Sequence, residues 1–74
     1  MHADSLVRMA NQIGDFFEAM PDRVEAMEGI AQHIRKFWEP RMRHEFLAYL
    51  DSTGTGALHP VVAEAVSTHR ALLD

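Results

Sequence analysis

Five histidines, His2, His33, His44, His59 and His69, are the residues of this 74-residue chain most able to hold a metal or move a proton. A helical metal pair needs two ligands four residues apart so that both imidazoles share one face, and the HExxH form adds a glutamate that works on a metal-bound water. No two of these histidines stand four apart, and neither HExxH nor CxxC occurs. A structural zinc site closes on four ligands, and the chain has no cysteine to supply any of them. The spacing points to surface or capping histidines.

The segment DSTGTGALHPVV, residues 51–62, resembles a worn calcium loop. Asp51, Thr53 and Thr55 occupy ligand positions, Gly56 the turn and Leu58 the apolar position, but Val62 stands where a bidentate glutamate belongs. One carboxylate cannot replace the hydration of a divalent cation. Gly54 and Gly56 suggest a phosphate nest, yet no strand pattern precedes them and no GK[ST] follows. A helix C-terminus running into a turn accounts for both glycines. Ser5, Ser52 and Ser67 lie in no GxSxG context. The acids are scattered on positions expected for solvated helix faces, and a chain this short leaves little room for a substrate pocket of roughly 300 Å3 or more. The expectation is a non-enzymatic chain with no catalytic, cofactor-binding or metal-binding residue of its own.

The stretch HIRKFWEPRMRH, residues 33–44, carries a different chemistry. Arg35, Lys36, Arg41 and Arg43, from a total of seven Lys and Arg, surround the single tryptophan of a chain whose net charge is −4. A nucleic-acid module shows a basic balance across the whole domain. Here the pI is about 5.6 and Glu39 and Glu45 interrupt the patch, so phosphate is repelled at long range. A solvated face is the plainest reading of the charges. Protein docking ranks above it, because Trp and Arg are the residues most enriched at binding hot spots. With Glu39 as N-cap and Pro40 at the first helical position, Trp38 precedes the cap and Arg43 takes the fourth position, where a hydrophobic staple would place an apolar residue. A guanidinium lying over the indole is the expected substitute. The candidate partner-binding residues are Arg35, Phe37, Trp38, Pro40, Arg41 and Arg43.

These residues must be positioned by helices, since helical periodicity dominates the chain. Leu6, Met9, Ile13, Phe16 and Met20 form the apolar stripe of a first helix capped at Asp4 or Ser5 and stopped by Pro21. Gly14 inside it costs about 1 kcal/mol relative to alanine and marks a close approach by another backbone. Asp22 and Glu25 have capping-box spacing and open a second helix with Val24, Met27, Ile30, Ile34 and Phe37 on its apolar side. Pro40 disfavours helix at Glu39 and opens a third, with Met42, Phe46, Tyr49 and Leu50 inward. After the turn, Pro60 starts a short fourth helix carrying Val62, Ala65, Val66, His69 and Leu73. No segment alternates with the period of a strand. The fold class is all-α, a small antiparallel bundle of about four short helices, with residues 1–74 as a single helical domain.

Such a domain buries only about 60% of the surface its unfolded chain exposes, so its core is marginal without a staple. With disulfides excluded by composition, the expected staple is a partner chain. The beginning MHADSLVRMA lacks the apolar core of a signal peptide, and the longest apolar run, residues 46–50, is far short of the ~20 residues of a membrane span. The expectation is a cytoplasmic protein without membrane or nucleic-acid partners.

At the same residues a resemblance enters. RMANQIGDFFEAMPDRVEAMEGIAQHIRKFWEPRMR, residues 8–43, resembles the small delta subunit of NAD-dependent, molybdenum-containing formate dehydrogenases, most tellingly in MANQIGDFF and HIRKFWEPRMR. The similarity loosens beyond Asp51. It implies membership of a cytoplasmic complex whose alpha subunit carries bis-molybdopterin guanine dinucleotide and iron–sulfur clusters. Other subunits of that complex supply FMN, the NAD site and further clusters. The delta chain is implied to be an accessory subunit or assembly factor, supporting molybdenum cofactor insertion or complex stability and docking on the alpha subunit. A small helical nucleic-acid-binding module is the alternative of a different class. A standalone homodimeric bundle that completes its core with its own copy is a third.

Overall fold

The computed structural model describes residues 2–74. Among the described residues five helices form: α1 (Ala3–Phe17), α2 (Arg23–Phe37), α3 (Pro40–Thr53), α4 (Pro60–Thr68) and α5 (Arg70–Leu73). Among the described residues there is no strand.

The helix boundaries follow from local chemistry. Asp22 Oδ1 accepts hydrogen bonds from the Val24 and Glu25 amides at 2.8 and 3.3 Å, the N-cap that the sequence predicts for α2. Glu39 and His59, each preceding a proline, are held extended, and Pro40 and Pro60 fill the first helical positions of α3 and α4. Gly54 ends α3 at φ 91°, where its amide closes on the Leu50 carbonyl at 2.7 Å; a side chain is strained in that conformation. The helix therefore runs through Asp51, Ser52 and Thr53 before the turn begins. At the other end α1 starts earlier than predicted, with His2 at the cap position and Asp4 inside the first turn, where the helix dipole favours an acid.

The predicted fourth helix breaks at His69, which closes α4 through its amide to the Ala65 carbonyl and then opens α5. The break re-aims the last turn so that Leu73 is fully buried. α2 is the central element and packs against α1, α4 and α5; α3 packs on α1 and α5 rather than lying along α2. The result is a small all-α bundle with α2 at its centre. Phe46, Leu6, Ile30, Ile34, Leu73 and Val62 have no exposure at all, and burying a side chain of this size contributes about 1.5–3 kcal/mol.

The apolar stripe of α1 is shifted from its expected position, and that of α2 holds at Met27, Ile30 and Ile34 but not at its two ends. α1 turns Leu6, Val7, Ala10 and Gly14 inward and leaves Phe16 74% exposed. α2 buries Ala26, Met27, Ile30, Ala31 and Ile34 and leaves Val24 and Phe37 outside. Gly14 explains the phase of α1. The approaching group is the Val62 side chain of α4 rather than a backbone, and a Cβ at Gly14 would collide with it. Asn11, one turn earlier, fixes the loop that delivers α4: its Nδ2 donates to the Ala57 carbonyl at 3.0 Å and its Oδ1 accepts from the His59 amide at 2.9 Å.

Gly14→Val is expected to lower stability by about 1–3 kcal/mol through overpacking against Val62. Gly56→Ala, in open space, is expected to stay within about 0.5 kcal/mol of the parent. Urea denaturation followed by circular dichroism measures both; equal effects would remove the close α1–α4 approach as the reason for glycine.

Candidate docking surface

The predicted corner at HIRKFWEPRMRH divides into an inside and an outside. Trp38 and Arg43 are only 5% and 7% exposed, so neither is the free hot spot that the sequence suggests. Trp38 leaves α2 in extended conformation and packs edge-on against Phe46, with ring centroids 5.3 Å apart. Arg43 does not stack on the indole as expected. Its Nη1 donates to the Trp38 carbonyl at 3.0 Å and the Arg35 carbonyl at 3.4 Å, and its Nε donates to the Leu73 carbonyl at 3.3 Å. The guanidinium caps the C-terminal ends of α2 and α5 together, where carbonyls are orphaned and the dipole favours a cation. Arg35 supports it from α2 by donating to the Leu72 carbonyl at 3.3 Å. Arg43 is thus a structural clamp, and reversing its charge would place a carboxylate among carbonyls. Arg35, Phe37, Pro40 and Arg41 remain on the surface.

Phe37 belongs to a larger feature that sequence periodicity assigned to the core. Phe16 meets Phe17 edge-on at 5.1 Å, Phe17 meets His33 at 6.3 Å, and His33 meets Phe37 at 4.7 Å. This ladder crosses from α1 to α2 beside an open groove of about 410 Å3. α1 contributes Met9, Gln12, Phe16 and Phe17 to its walls, α2 contributes His33, and the buried Trp38 ring closes one end. Gly29 lets the walls meet, since a Cβ there would stand 2.5 Å from the Phe17 ring. Phe16, 74% exposed, lines the groove, and Phe37, 70% exposed, packs against the lining residue His33. The signal for this face lay in the pairs Phe16–Phe17 and Phe37–Trp38. Adjacent residues on a helix point about 100° apart, so with Phe17 turned toward His33 of α2 its neighbour Phe16 is left outside.

The residues suspected of metal chemistry do other work. Arg70 forks onto Asp51, Nη1 to Oδ1 and Nη2 to Oδ2 at 2.8 Å each, so the first position of the worn calcium loop is an ion-pair partner inside a helix. His59 Nδ1 lies 3.0 Å from Asp15 Oδ1. Among the described residues no group of three or more His, Asp or Glu is gathered closely enough to hold a metal ion, and no helix is long and apolar enough to cross a membrane.

Comparison with known families places the chain. The family model described as NADH-dependent formate dehydrogenase delta subunit FdsD matches residues 5–66. The chain belongs to that family. The match covers α1 from Ser5 onward, α2 and α3 entire and most of α4, and so includes both walls of the aromatic groove. No curated protein and no solved structure matches this delta-subunit chain.

Two outcomes are expected of the clamp and the fork. Arg43→Met leaves buried carbonyls of α2 and α5 without their donor and should cost about 2–4 kcal/mol, whereas Arg41→Glu, on the surface, should cost less than about 0.5 kcal/mol. Urea titrations compare them. At the fork, the hydrogen bonds from Arg70 are the largest influence on Asp51 and hold its carboxyl below the ordinary value of 3.8, with the attraction of the Arg70 charge adding to them. The depressed value means that the pair stabilises the fold above the ordinary carboxylate range and loses that contribution as pH falls through the lowered value. The melting temperature of Asp51→Asn should lie below that of the parent at about pH 7 and converge on it toward about pH 2. A gap unchanged with pH would show that the fork contributes nothing.

Proposed function

We propose that this delta-family chain is a non-catalytic accessory subunit that docks on the molybdenum-bearing alpha subunit of a cytoplasmic formate dehydrogenase. There it supports formation of active enzyme, through molybdenum cofactor insertion or through stability of the complex. In this reading the redox centres, bis-molybdopterin guanine dinucleotide, iron–sulfur clusters and FMN, together with the NAD site, belong to the partner subunits, and this chain contributes binding surface alone. Family membership supplies the complex. The single structural observation that carries the docking is the face bearing Phe16 and Phe37, each more than two-thirds exposed beside an apolar groove. Exposed apolar patches of this kind mark interaction sites.

The docking also answers the size of the chain. A partner that binds only the folded form stabilises it by RT ln(1 + [L]/Kd), about 2.7 kcal/mol at a hundred times Kd. Burying Phe16 and Phe37 in the complex is the direct source of that gain.

Co-purification tests the proposal. Tagged chain is produced with the complete set of formate dehydrogenase subunits, and molybdenum content and formate-dependent NAD reduction are measured with and without it. Retention of the alpha subunit on the tag, with enzyme of low molybdenum content or low stability in its absence, is expected. Full molybdenum content, stability and activity without the chain would overturn the accessory role, and formate-dependent NAD reduction by the isolated chain would overturn its non-catalytic character.

A further inference from the structure

We draw no further inference here: the strongest candidate, the open apolar groove between α1 and α2 lined by Met9, Phe16, His33 and Trp38, belongs to the docking surface already described, and nothing in the structure shows what covers it.

Discussion

A buried guanidinium with no carboxylate partner is the interaction on which the rest of this molecule depends. Arg43 enters the interior from α3 and is balanced by the carbonyl ends of α2 and α5. Removing an ion from water costs several kcal/mol, and the interior compensates only where its donors all find acceptors. Here the acceptors are the carbonyls that a helix C-terminus leaves without partners. The need of the cation and the need of the two helix ends are met by one contact, and no buried side-chain polar atom among the described residues is left without a partner. Three elements distant in sequence, α2, α3 and α5, are thereby joined at one point.

That point determines which aromatic groups can reach a partner. Because α2 must end at Trp38 for its carbonyls to meet Arg43, the indole turns in against Phe46, and Phe37, one residue earlier, is left outside. On α1 the same division follows from Gly14. The contact with Val62 sets the rotation of the helix, so Val7 and Ala10 face inward and Phe16 faces out. The exposed ladder from Phe16 to Phe37 is thus a consequence of how the core closes. It gives a small acidic chain of the formate dehydrogenase delta family an apolar face, while the buried core closes without Phe16 and Phe37.

Features set by one residue and its immediate neighbours were legible in the sequence. Asp22 caps α2, Pro40 opens α3, and Gly54 ends α3 at positive φ, each through a local preference that tertiary packing had no reason to override. The all-helical class and the family resemblance were legible as well. The phase of α1 was not, although Met27, Ile30 and Ile34 of α2, Phe46 and Leu50 of α3, and Val62, Ala65 and Val66 of α4 are buried as their spacing predicts. The stripe Leu6, Met9, Ile13, Phe16 has good periodicity, and so does the stripe one residue along that is actually buried, because α1 is apolar over more than one face. Only the partner helix α4 decides between them. The corner at Trp38 and Arg43 misled for a related reason. Trp and Arg are enriched at interfaces, but a guanidinium also satisfies helix C-terminal carbonyls, and the ends of α2 and α5 meet only once the chain is folded. The break at His69 likewise depends on Leu73 reaching the core, which no local signal announces.

Hydroxyl-radical footprinting of the chain, free and within the purified formate dehydrogenase complex, tests most directly whether the α1–α2 face is the one that docks. It reports side-chain exposure residue by residue, and among the described residues three large apolar side chains are exposed, with Val24 as a built-in control away from the groove. The account requires Phe16 and Phe37 to lose reactivity together in the complex while Val24 keeps its own. Unchanged Phe16 and Phe37, with protection moving instead to Val24, or to Pro40 and Arg41 alone, would contradict it.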